Sequence, residues 1–175
     1  MTRKPIPFAE WIVPVVWSFD ENWMLLTAGE LRPGGFNMMT VSWGSVGVIW
    51  GKPLAMVVVR PSRYTYEFIE KSDSFTLCAF SGEYKDELTL CGTRSGRAVD
   101  KVKATGLTPI PSTAVQAPGF DEAELILECR KTYFDDLKPA HFLDPAIEGN
   151  YNGRDYHRMY FGEIVAIHGA DRYRR

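Results

Sequence analysis

The stretch Arg60-Pro61-Ser62-Arg63-Tyr64-Thr65 places two guanidinium groups and two aliphatic hydroxyls within six residues. Guanidinium forks match the oxygens of a phosphate, and hydroxyls add further donors. A helix starting here would add unpaired backbone N–H groups and a partial positive charge. Arg60, Ser62, Arg63 and Thr65 thus supply the ingredients of a phosphomonoester site. A capped surface helix bearing two solvated arginines fits the same residues.

A second stretch, Asn37-Met38-Met39-Thr40-Val41-Ser42-Trp43-Gly44, mixes polar and polarizable side chains. Asn37, Thr40 and Ser42 offer donors and acceptors, and Met39 and Trp43 offer apolar surface. That mixture suits a flat heteroaromatic ring, with apolar contact on its face and polar groups along its edge. Met and Trp on a barrel strand serve equally well as core. His157, in Asp155-Tyr156-His157-Arg158, could hold or move a proton near neutral pH, and could as readily be structural. Asp135-Asp136 has no partner base in view and reads as a solvated loop.

The elements that must position these residues are mainly strands. Short apolar runs alternate with turn residues, as in sandwiches and barrels. Strands are predicted at Val13–Ser18, Trp23–Glu30, Asn37–Trp43, Leu54–Arg60, Ser74–Phe80, Glu124–Tyr133 and Met159–His168. In Glu124–Arg130 a period of two puts Leu125, Leu127 and Cys129 on a buried face, opposite Glu124, Glu128 and Arg130. Helices are predicted over Ser62–Lys71, with Ser62 as cap, and over Lys85–Cys91, with Gly92 closing it. Thr93–Phe120 reads as loop, and Leu137–Gly153 as irregular with one helical turn. Glycine-rich dinucleotide fingerprints and alternating strand–helix order are absent, which argues against a parallel nucleotide-binding sheet.

Bulk properties set the outer limits. The 175 residues, 45% of them hydrophobic, suffice for one domain with its own core, expected over residues 1–175. With 20 basic and 22 acidic residues the net charge is −2, so neither nucleic acid nor an anionic membrane is expected as partner. No run approaches the ~18 apolar residues of a membrane span, and no secretory signal is recognisable. The three cysteines, Cys78, Cys91 and Cys129, lack metal or disulfide spacing. Reduced thiols in a cytoplasmic protein are expected.

Taken in order, Asn37 to Gly44, Lys52-Pro53, Arg60 to Thr65, Cys91-Gly92-Thr93-Arg94-Ser95-Gly96-Arg97, Asp100-Lys101, Leu127-Glu128-Cys129-Arg130 and Gly162-Glu163-Ile164-Val165 resemble the flavin reductase-like, flavoredoxin-like family. The likeness runs from about residue 13 to residue 168. It implies an FMN-binding split barrel, a Greek-key antiparallel β-barrel with a few short helices, forming a homodimer. It further implies that Asn37, Met38, Met39, Thr40, Val41, Ser42 and Trp43 line the isoalloxazine ring, and that Arg60, Ser62, Arg63 and Thr65 hold the phosphate. Ser95, Gly96 and Lys101 match a loop near the flavin, and His157 stands where some relatives place a histidine beside flavin and nicotinamide. The expected function is oxidoreduction, with hydride passing from NADH or NADPH to FMN. The rival is an FMN-holding electron carrier that docks a redox protein partner and lacks a nicotinamide site.

Overall fold

The computed structural model describes residues 2–175. Its strands are β1 (Lys4–Pro5), β2 (Met24–Gly29), β3 (Phe36–Val41), β4 (Gly44–Ile49), β5 (Lys52–Val59), β6 (Ser74–Ala79), β7 (Pro109–Ile110), β8 (Gly119–Phe120), β9 (Leu125–Asp136) and β10 (Arg158–Gly169). Its helices are α1 (Tyr64–Lys71), α2 (Lys85–Thr93) and α3 (Lys101–Thr105), with a few single 3₁₀ turns.

One antiparallel sheet runs β3-β2-β6-β9-β10-β5-β4, with β1 added on β10. Its two edges, β3 and β4, are successive in the chain and joined only by Ser42 and Trp43. The sheet must therefore curl until those edges meet at one end, leaving a split between them. After β5 the chain crosses over through α1 to pair β6 with β2, which is the Greek-key step of a split barrel.

The pleat decides which side chains fill the barrel. Met24, Leu26, Ala28, Met39, Val41, Val57, Leu77, Leu125, Leu127 and Cys129 belong to the interior cluster. Their alternates Leu25, Met38, Cys78 and Ile126 turn outward, where Leu88 and Cys91 of α2 cover them. Both faces of β2 and β6 are therefore buried. All three cysteines are buried and free, and burial pushes the thiols of Cys91 and Cys78 up to about 11 and about 12.

Several expectations need correction. Val13–Ser18 is no strand: Pro14, which has no N–H to give a ladder, opens a helical turn in which Ser18 N donates to Pro14 O. It ends as a π-turn over Trp17–Glu21, with Asn22 N bonded to Trp17 O. β4 went unread because its glycines hid the alternation. Gly44 is required there, since a Cβ would come within 2.4 Å of the Phe19 ring. The supposed loop Thr93–Phe120 contains α3, capped by Asp100 accepting from Lys103 N and closed by Gly106 at φ +72°.

Helix α1 starts at Tyr64 with no side-chain cap, and Ser62 bonds elsewhere. Gly92 lies inside α2, where its missing side chain admits Thr40. On β9, Glu128 is buried because Thr113 and Ala114 give its carboxylate three hydrogen bonds from N–H and hydroxyl groups. Asp135 and Asp136 end β9, and Arg158 grips Asp136 at 2.6 and 2.9 Å. Among the described residues no helix is long and apolar enough to cross a membrane.

Candidate functional site

Strand β3 and the β5–α1 connector converge at the open end of the split. Two recesses form there, of about 210 Å³ and 160 Å³, and they share Met39 and Arg63. They make one groove with two chemically different ends.

The larger end is lined by Met39, Thr40, Val41, Ser42 and Trp43 with Val58, Arg60, Arg63 and His157. Trp43 is 44% exposed and packs against His157, ring centroids 5.1 Å apart. His157 Nδ1 and the Tyr151 hydroxyl are 2.9 Å apart. Burial, reinforced by the nearby Arg60 and Arg63 charges, drives the His157 pKa down to about 4. The imidazole is therefore neutral at pH 7.

The smaller end is lined by Asn37, Ser62, Arg63, Tyr64, Thr65, Thr93, Arg94, Ser95 and Gly96, among others. The first turn of α1 opens into it. Tyr66 N already donates to Arg63 O, which leaves the N–H groups of Tyr64 and Thr65 at the helix's open end. Among the described residues no carboxylate lines either recess. Hydroxyls, guanidinium groups and a helix N-terminus together form a donor set suited to a phosphate, while the Met39–Trp43 end suits a flat ring. The residues present fit FMN.

The sequence-derived candidates divide in the structure. Every candidate but Met38 borders the groove, though several are engaged elsewhere. Asn37 Nδ2 donates to Thr65 Oγ1 at 2.7 Å. Met38 turns into the core under α2, Met39 and Val41 turn into the barrel with only a little surface left at the groove, and the Thr40 hydroxyl bonds to Leu88 O. Lys101 reaches the groove wall, but the residue is only 6% exposed and its ammonium donates to Met38 O at 2.8 Å and Cys91 O at 2.7 Å. Burial lowers its pKa to about 8. Arg60 and the exposed Ser62 are engaged by residues 150–155: Arg60 Nη2 bonds Asn150 O, and Ser62 bonds Asp155.

Sequence reasoning missed Asp155 and Tyr151, because nothing in an irregular run foretells which barrel loop it covers. It also missed Arg97, whose guanidinium lies 4.8 Å from the Tyr64 ring centroid. Among the described residues, no group of three or more His, Cys, Asp or Glu could hold a metal ion.

Comparison with known proteins agrees with this geometry. An uncharacterized protein of Pyrococcus abyssi (strain GE5 / Orsay) is 27% identical over 133 residues. That match covers 74% of this chain and 64% of the relative, so it spans less than two thirds of the relative's length. Flavoredoxin from Methanosarcina acetivorans superposes with a TM-score of 0.66 and 25% identity, covering 99% of this chain and 78% of the other. An FMN-binding domain of a flavin reductases-like enzyme from Shewanella baltica OS155 superposes at 0.67 with 16% identity, covering 96% and 77%. The family described as "Flavin reductase like domain" matches residues 18–174. The chain belongs to the flavin reductase-like domain family, on a split-barrel fold.

Proposed function

We propose that the groove binds FMN and that the protein is an oxidoreductase taking hydride from NADH or NADPH. The observation that carries this reading is the two-ended groove: Met39 and Trp43 at one end, Arg63, Thr65, Ser95 and the open first turn of α1 at the other. Bound there, FMN would supply the redox chemistry, accepting a hydride and releasing electrons to an acceptor.

The chain's own residues bind, orient and shield. Arg63 and Thr65 hold the phosphate by charge-assisted and hydroxyl bonds. Met39 and Trp43 give the ring an apolar bed, and the exposed outer face of Trp43 leaves room for a nicotinamide. His157, neutral and seated on Trp43, orients the incoming ring and acts as a hydrogen-bond partner, not as a cation. The Arg60 and Arg63 charges favour negative charge at this end.

The same reading includes a homodimer. Val48, Ile49 and Trp50 on the β4 edge, with Tyr133 and Phe134 of β9, leave large apolar side chains exposed. An unpaired strand edge of this kind is a liability that a symmetric partner removes.

The test is an absorbance titration with FMN, followed by anaerobic addition of NADH or NADPH. Bleaching of bound flavin is expected. Full FMN binding without bleaching by either donor would replace this reading with the electron carrier that docks a redox protein. Failure to bind FMN at all would remove both.

A further inference from the structure

Residues 150–157 form a strap that leaves a 3₁₀ turn, Pro145–Asn150, and returns to the start of β10. Internally the strap is well braced. Tyr151 and Tyr156 pack with centroids 4.8 Å apart and ring planes tilted by 32°, and Glu148 in the preceding turn accepts from both Tyr156 Oη and Gly153 N.

The C-terminal end of the strap is held by β10 and by Leu137 N, which donates to His157 O at 2.9 Å, and Phe142 stacks on Tyr151. The side-chain ties of its middle converge on the β5–α1 connector. Arg60 Nη2 donates to Asn150 O at 2.8 Å, and the guanidinium lies 5.1 Å from the Tyr151 ring centroid. Asp155 Oδ1 accepts from Ser62 N at 3.0 Å, and Asp155 Oδ2 accepts from Ser62 Oγ at 2.6 Å. The Asp155 backbone is left-handed, at φ +56°, a conformation Asp tolerates better than most residues. Two residues later stands His157, bonded to Tyr151 and packed on Trp43.

We propose that Asp155 is the positioning residue for His157: its carboxylate, seated on the Ser62 N–H and hydroxyl, fixes the strap so that the imidazole stands against Trp43 at the ring end of the groove. It follows that Ser62 gives both its donors to the strap. Phosphate recognition then falls to Arg63, Thr65, Ser95 and the first turn of α1. The connector is thereby divided, with Arg60 and Ser62 holding the strap and Arg63 and Thr65 facing the ligand. What the imidazole faces rests on the flavin reading; the latch is a property of the chain alone.

The test uses the full chain without flavin. The three histidines, labelled with ¹³C, are titrated by NMR in the wild type, Asp155→Gly, Ser62→Ala and the double variant. Gly adopts a left-handed backbone freely, so Asp155→Gly removes both carboxylate acceptors without straining the strap, whereas an Asn there would keep an oxygen for Ser62 N. Besides Asp155, the groups facing the imidazole are Arg60 and Arg63 from the connector, Tyr151 from the strap, and Trp43 from the β3–β4 joint.

Loss of the carboxylate charge alone would push the His157 pKa lower still, because the two arginines would act unopposed. Release of the strap hydrates the ring and moves it up toward the ordinary imidazole value of ~6.5. The sign therefore separates positioning from simple electrostatics. The expected result is an upward shift of at least ~1 unit in Asp155→Gly, a smaller upward shift in Ser62→Ala, which keeps the Ser62 N–H, and no further shift in the double variant beyond that of Asp155→Gly. An unchanged or lowered value, or single-variant shifts that add, would overturn the proposal. An FMN titration of the wild type runs beside it: its failure would sink the flavin reading and leave the latch result standing.

Discussion

Asn37 Nδ2 donates to Thr65 Oγ1 across 2.7 Å, and through that bond β3 holds the first turn of α1. Thr65 is 1% exposed and Asn37 7%, so the bond sits in a site where an unmade partner is costly. Gly96 closes the arrangement from above. A Cβ there would lie 2.2 Å from Asn37 Oδ1 and 2.9 Å from the Tyr64 ring. The ring end and the phosphate end of the groove are thus held in register by three residues from three separate segments.

Gly96→Ala should push Asn37 away from Thr65 and misalign the two ends. FMN affinity should fall on the order of tenfold, and stability by ~1–3 kcal/mol, the usual range for overpacking. Fluorescence-quenching titration and urea unfolding measure both. Unaltered FMN binding would show that the Asn37–Thr65 bond does not shape the site.

Arg63→Ala removes the guanidinium shared by the two recesses. A charge-assisted bond is worth ~1.5–3 kcal/mol before solvent exposure is allowed for, so FMN should bind roughly tenfold or more weakly. Riboflavin, which lacks the phosphate, should bind almost as before. Equal losses for the two ligands in parallel titrations would contradict the phosphate assignment.

His157→Ala should slow flavin bleaching by nicotinamide on the order of tenfold through lost orientation, with FMN affinity nearly intact. A pH effect accompanies it. His157 titrates at about 4 in the folded chain, against ~6.5 when unfolded, so on acidification the unfolded chain takes the proton first. The stability this neutral histidine supports is full above ~6.5 and is lost as pH falls toward 4. Denaturation across that range should show a shallower slope in His157→Ala. An identical slope would mean the imidazole is ordinary.

Lys101→Met strips the donor from Met38 O and Cys91 O, two buried carbonyls on different elements. Leaving them unpaired should cost ~1–3 kcal/mol, partly offset because a buried ammonium no longer has to be desolvated. FMN affinity should change far less than in Arg63→Ala. The reverse pattern, normal stability with FMN binding lost, would place the ammonium on the ligand.

Trp50 and Gly51 form the two-residue β4–β5 turn at φ +56° and +69°, a geometry that favours Asn-Gly. A bulky Trp there is strained, which fits a side chain retained for contact with a partner. Trp50→Asn should stabilise the hairpin by roughly 0.5–1 kcal/mol, from relief of left-handed strain, while weakening the dimer. Light scattering over a dilution series checks it, starting near twice the 19.8 kDa chain mass. A wild type that is monomeric throughout would refute the interface.

How much of this was legible in advance depended on the range of the forces involved. Six of the seven predicted strands lie close to their observed positions, because alternating apolar residues such as Leu125, Leu127 and Cys129 can satisfy a pleated face in only one way. Pro14 defeated the seventh by removing a ladder donor, and the glycines of β4 erased a pattern that pairing with β5 restored. The two chemically active stretches could be named because phosphate and ring recognition depend on residue type, which is local. Their division of labour could not. Lys101 and Ser62 carry ligand-binding chemistry on paper, but Met38 O, Cys91 O and the Asp155 carboxylate reach them first. Residue types set what each side chain can bind; only the closing of the barrel, which brings partners 10 to 93 residues apart into contact, decided what each one does bind.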